Sequence, residues 1–155
     1  MSETVENHME LRFEAKSVNE SLARMAVAAF LTDMNPTLSE VDDVKTAVSE
    51  AVTNSIIHGY ENGDGRIRIE TYIVEDTVTV IVTDYGVGIA DIEKAMEPMY
   101  TSKPELERSG MGFAFMEAFM DELFVESQKG EGTKVTMRKV IRQENAEEGF
   151  ENKEI

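Results

Sequence analysis

The chain has 155 residues, 31 of them acidic against 15 basic, for a formal net charge of −16, and it contains no cysteine. That length suits one ordinary domain with little left over, and the missing thiols exclude disulfides, thiolate metal sites and cysteine nucleophiles together. Binding to a phosphate backbone rewards clustered Lys and Arg, so DNA and RNA are poor partners, and any anionic ligand needs a cation and local basic groups beside it.

Hydrophobic residues make up 41% and charged residues 30%, enough for one core. The longest apolar runs, such as Met25 to Leu31, are far too short to span a bilayer. Met1 to Glu10 is acidic and polar and lacks the pattern of a secretory signal, so a cytoplasmic protein without membrane contact is expected.

Met9, Leu11, Phe13 and Ala15 alternate with polar residues, which predicts a half-buried strand. A helix follows from Asn19 to about Asp33, with Leu22, Met25, Ala26, Ala29 and Phe30 expected on one face; Asn35-Pro36 ends it. Ser39 caps a second helix that runs to about His58 and stops at Gly59. Residues 66–74 and 77–83 alternate as strands around a Glu75-Asp76 hairpin turn. Next come a glycine loop at 84–89, a short helix from about Asp91 to Glu97, and a mobile loop over 99–110 containing Pro104. A helix near 111–120, a strand near 123–127, the turn at Lys129 to Gly132 and a strand near 133–141 complete a domain set at 8–142. Gln143 to Ile155 is an acidic tail with the composition of a disordered segment. Five strands in hairpins and three long helices predict an α/β two-layer sandwich, its sheet mixed but mostly antiparallel and covered by helices on one face.

Three segments carry polar groups in patterns suited to chemistry. On the second helix Val41, Val44, Val48 and Val52 form a core stripe, while Glu50, Asn54 and His58 share another face at i, i+4, i+8. Asn54 offers a hard amide oxygen suited to Mg²⁺ and Glu50 a carboxylate one turn earlier; the same spacing also describes a merely solvated face. Asp84 ends a strand, where a carboxylate can accept from an exocyclic amine, and Gly86 and Gly88 permit close backbone approach; an ordinary turn reads the same way. Ser109-Gly-Met-Gly-Phe113 enters a helix, where backbone amides can cradle phosphate, or where the glycines simply shape a turn. Neither a GxxxxGK run nor a GxGxxG fingerprint occurs, so the P-loop and Rossmann routes to nucleotides are unsupported.

In order, Glu50-Ala-Val-Thr-Asn54, Asp84-Tyr-Gly-Val-Gly88, Gly110-Met-Gly-Phe113 and Gly132-Thr133 resemble the Bergerat ATP-binding fold, the superfamily of histidine-kinase catalytic domains, Hsp90 and gyrase B. The stretches 49–60 and 100–113 narrow the likeness to the anti-sigma factor kinases of spore-forming bacteria, a resemblance covering about Met9 to Ile141. It implies a serine protein kinase using Mg-ATP, which binds and inhibits a sporulation sigma factor, phosphorylates an anti-anti-sigma factor on serine, and forms a homodimer through sheet edges or the N-terminal strand. A non-catalytic ATP-binding module and a small stand-alone ATPase are the other readings.

The resemblance also implies roles for residues. Glu50 becomes the general base and Asn54 the Mg²⁺ ligand. Asp84 would bind adenine, with Thr53, Gly86, Gly88, Ile89 and Thr133 lining the nucleotide site. Thr101, Ser102, Lys103, Arg108, Ser109, Gly110, Met111, Gly112 and Phe113 would form a lid and phosphate cradle, ordered with ATP and looser with ADP. Arg24, Glu107 and Arg108 are the expected partner contacts. Met99, Met111 and Met116 are read as core or lid packing, and His58 as structure at the helix end.

Overall fold

The computed structural model describes residues 5–97 and 112–142. Its strands are β1 (Asn7–Glu14), β2 (Arg66–Val74), β3 (Thr77–Asp84), β4 (Glu122–Gln128) and β5 (Gly132–Val140). They form one sheet in the order β1-β2-β3-β5-β4, and each of its four ladders is antiparallel. No parallel pair occurs among the described residues, because each neighbouring pair either shares a hairpin or closes an antiparallel return. Helices α1 (Val18–Phe30), α2 (Leu38–Asn54) and α4 (Gly112–Phe119) pack with the sheet as a two-layer sandwich; the four-residue α3 (Ile92–Ala95) follows the glycine loop.

Register explains why one end of the sheet becomes a site. Leu11, Ile69, Val82, Val135 and Val125 lie side by side across the five strands, and all face the core. Two residues along, the equivalent row reads Phe13, Ile67, Asp84, Thr133 and Ser127. The row is apolar under α1 and polar beyond β2. Alternation of period two carries the polar end onto the helix side of the sheet.

The second helix follows its sequence with two differences. A capping box opens it: the Thr37 hydroxyl accepts from Glu40 N–H at 3.1 Å, and Thr37 N–H donates to Glu40 Oε1 at 2.9 Å. The cap is thus Thr37, two residues before the predicted Ser39. Val44, Val48 and Val52 are fully buried as their stripe requires. After Asn54 the coil widens into a π-helical turn over Ser55–Gly59, closed by Tyr60 N–H donating to the Ser55 carbonyl. His58 therefore leaves the straight i, i+4, i+8 line with Glu50 and Asn54.

The first helix departs further from expectation. Its core face is Ala23, Val27 and Leu31, all fully buried, whereas Leu22 and Met25 are 51% and 59% exposed. Helical period alone could not choose between the two apolar stripes; the small residues Ala23 and Val27 let α1 sit close against α2. The predicted hairpin at Glu75-Asp76 is present, with Glu75 at φ 54°. The predicted loop at 99–110 and the tail at 143–155 lie outside the described residues.

Candidate functional site

Asp84, at the C-terminal end of β3, is 4% exposed. Its carboxylate accepts from Gly86 N–H at 3.0 Å, and the nearby Ser55 hydroxyl and Thr133 N–H also favour its charged form. Burial pushes this carboxyl above its ordinary value of 3.8, and these groups pull it back only in part. An acid held this way has oxygen lone pairs left over and a dry setting in which another hydrogen bond is strong.

The π turn brings α2 onto that carboxylate. A Cβ placed on Gly59 would stand 2.8 Å from Asp84 Oδ2, so the helix end touches the acid backbone first. A Cβ on Gly86 would stand 1.9 Å from the Gly59 carbonyl oxygen, an approach only glycine allows. Val87 N–H donates to that same carbonyl at 2.8 Å. Gly88 sits at φ 76° with its Cα against the Gln128 carbonyl, and Gly130 N–H reaches the Val87 carbonyl at 2.6 Å. The loop is thereby pinned between the α2 terminus and the β4–β5 turn.

Asn54 closes the other side. A Cβ on Gly112, the first residue of α4, would lie 2.9 Å from Asn54 Nδ2 and 3.0 Å from its Oδ1. The amide of α2 thus lies directly against the N-terminus of α4, while its chain neighbour Ser55 holds Asp84. Helix amide, strand-end carboxylate, glycine loop and helix entry meet in one region, as the order of the segments implied. Thr53 and Glu50 are half-buried on α2, Ile89 and Phe113 are half-buried, and Met116 is in the core. Thr101, Ser102, Lys103, Glu107, Arg108, Ser109, Gly110 and Met111 lie outside the described residues, as does Met99.

Four contributors escaped sequence reasoning. Ser55 directly follows Asn54 and was legible only as its neighbour; Gly59 reads as a helix stop although it is also a packing surface for Asp84. The Tyr60 hydroxyl accepts from Tyr85 N–H at 2.8 Å and donates to the Arg66 carbonyl, bracing the loop from below. Burial raises its phenol above the ordinary value. Ser127 accepts from Ile89 N–H at 2.7 Å; nothing in the β4 pattern marks it.

A helix-layered antiparallel sheet with an acid at a strand end, facing a helix asparagine across a glycine loop, defines a nucleotide-binding domain class. The model of the histidine kinase-like ATPase domain matches residues 13–139. Solved structures agree in fold: the RsbU and RsbW domains of Rv1364c from Mycobacterium tuberculosis superpose with a TM-score of 0.63 at 20% identity, over 87% of this chain and 32% of that one. The catalytic domain of the histidine kinase ThkA gives a TM-score of 0.52 at 17% identity, over 86% of this chain and 97% of that one. Among curated proteins, the anti-sigma F factor of Clostridium beijerinckii is 62% identical over 86% of this chain and 94% of its own length. The anti-sigma F factor of Clostridium kluyveri is 60% identical over 88% of this chain and 96% of its own length. The chain belongs to the histidine kinase-like ATPase family and, within it, to the anti-sigma F factors.

Proposed function

We propose that the protein is an anti-sigma factor and Mg-ATP-dependent serine kinase, which binds and inhibits a sporulation sigma factor and phosphorylates an anti-anti-sigma factor on serine. The observation that carries this reading is the junction at the end of α2. There Asn54 meets Gly112 at the α4 N-terminus while Ser55 and Gly59 hold Asp84. One turn before Asn54, Glu50 carries a carboxylate suited to act as general base for a serine hydroxyl. Phosphoryl transfer asks mainly for positioning and charge neutralisation, which a fixed helix face, an adenine-anchoring acid and a helix N-terminus provide.

The donor set fits Mg²⁺ held jointly with phosphate. Among the described residues no group of three or more His, Asp or Glu could hold a metal by itself, and Asn54 contributes one hard oxygen, which suits an ion that keeps waters and takes phosphate oxygens. Bound there, Mg²⁺ would neutralise phosphate charge in a chain of net charge −16. The Asp84 carboxylate then orients the adenine, and Glu50 accepts the proton of the attacking hydroxyl. Lys103 and Arg108 remain proposed phosphate neighbours, with Thr101, Ser102, Ser109, Gly110 and Met111 as the cradle.

For the partner surface, α1 supplies the support. Arg24 is held by Glu20 at 3.6 Å and by Ser21 Oγ at 3.4 Å, and Leu22 and Met25 on the same helix are exposed. A fixed cation and exposed apolar side chains on one helix are suitable for protein docking. Glu107 and Arg108 are proposed to report the nucleotide to that partner. β1, the terminal strand of the sheet, offers its outer edge for a homodimer. No helix of the described residues is long and apolar enough to cross a membrane, in keeping with work in the cytoplasm.

Incubation with Mg-ATP and an anti-anti-sigma protein tests the reading. Transfer to serine is expected with the native chain and is expected to vanish in Glu50→Gln while ATP still binds. Full transfer by Glu50→Gln removes the base assignment, and ATP binding without any transfer by the native chain leaves only a non-catalytic module.

A further inference from the structure

Asp84, Thr133 and Ser127 are register neighbours across β3, β5 and β4, and the hydroxyls of the last two lie 2.8 Å apart. Their proton directions follow from counting. Ser127 Oγ is 2.9 Å from the Gly132 carbonyl, which has no proton to give, so the single hydroxyl proton of Ser127 goes there. The Ser127 oxygen already accepts from Ile89 N–H at 2.7 Å. Its remaining contact, with Thr133 Oγ1, must then be a bond that Thr133 donates. The Thr133 proton is turned toward β4, and toward a ligand beside Asp84 this hydroxyl presents lone pairs alone.

The Asp84 carboxylate, beside Thr133 in the register, also only accepts. Two acceptors side by side match a group that carries two N–H bonds, which an exocyclic amine does. A purine with a carbonyl at that edge presents one N–H and one lone-pair oxygen, and the oxygen meets an acceptor. Resting on the ATP reading above, we infer that Ser127 is a positioning residue that fixes the direction of the Thr133 hydroxyl. The base subsite is thereby set to prefer a 6-amino over a 6-oxo purine. Ser127 touches no base; it acts through Thr133.

Ser127→Ala removes the acceptor for the Thr133 proton and frees that hydroxyl to donate. The experiment titrates the full chain with ATP and with inosine triphosphate, in the presence of Mg²⁺, for the native protein, Ser127→Ala and Ser127→Thr. The native chain is expected to favour ATP. In Ser127→Ala inosine triphosphate should bind more tightly, so that the preference falls about five- to tenfold, the scale of one net hydrogen bond. Ser127→Thr keeps the hydroxyl and should restore the native preference. A gain of affinity for the wrong base is not what loosened packing produces. An unchanged ratio in folded Ser127→Ala, or equal weakening of both ligands, overturns the inference while leaving the ATP reading intact. Failure of the native chain to bind either nucleotide sinks that reading and the inference with it. If Ser127→Ala does not fold, Thr133→Val decides: weaker ATP with inosine triphosphate unchanged or tighter supports the inference, and equal loss of both overturns it.

Discussion

Replacing Asp84 by Asn should separate binding from stability. The side chain keeps its shape, so Gly59 and Gly86 still fit around it. What changes is hydrogen-bond polarity: the carboxylate takes a bond from Gly86 N–H with the Ser55 hydroxyl beside it, whereas the amide has one accepting oxygen and a donating NH₂. The Ser55 hydroxyl can reverse and accept, but a backbone N–H left facing NH₂ costs about 1–3 kcal/mol. Against this, the variant no longer buries a charge, a saving of about the same size at a site with partial compensation. The net change in unfolding free energy near neutral pH is therefore expected within about 1 kcal/mol of zero. ATP affinity, losing an ionised acceptor and gaining a clashing donor, should drop about 100-fold. The pH dependence supplies the sign. Burial raises the folded carboxyl above 3.8, so the folded state holds this proton more tightly than the unfolded chain does. The stability it contributes is fully present below about pH 3.8 and is lost as pH rises through the higher folded value. Native-minus-variant stability should then decline with pH across that window and flatten near neutrality. Urea unfolding of both proteins between about pH 4 and 7, with ATP titration at the upper end, checks this. A difference that grows with pH, a loss above about 3 kcal/mol, or retained ATP affinity would refute the reasoning.

Gly86→Ala drives a Cβ to 1.9 Å from the Gly59 carbonyl oxygen, backbone against backbone. The loop must leave α2, and urea unfolding should show a loss of about 2 kcal/mol or more together with lost ATP binding. Gly112→Ala meets only the end of the Asn54 side chain, at 2.9 Å. It should leave stability within about 1 kcal/mol but abolish the Mg²⁺-dependent part of ATP affinity, read by titration with and without the ion. Thr37→Ala removes half of the capping box whose Glu40 also receives Arg142 N–H at 2.7 Å, and should cost about 1 kcal/mol in denaturant unfolding. The hydroxyl of Thr71 is fully buried with no hydrogen-bond partner, so Thr71→Val should stabilise the fold by about 1 kcal/mol in the same measurement.

The sequence by itself determined the strands, the hairpins and the second helix, because period-two and period-3.6 patterns are local records of which residues face the core. It also singled out Asn54, Asp84, Gly86 and Gly112 as candidate site residues, through the order of segments that resembles the Bergerat fold. Tertiary structure alone decided the rest. α1 carries two apolar stripes, and the choice of Ala23, Val27 and Leu31 over Leu22 and Met25 depended on how near α2 a helix could lie. The π turn at Ser55–Gly59 has no local signature; it exists because Gly59 packs on Asp84 and its carbonyl receives Val87 N–H. Ser127 became part of the site through strand register, which places it beside Thr133 although β4 reads as an ordinary strand. Periodicity reports what a residue faces along its own segment. Which residues meet across segments is settled only when the sheet order is set and the closest backbone approaches are filled by glycine.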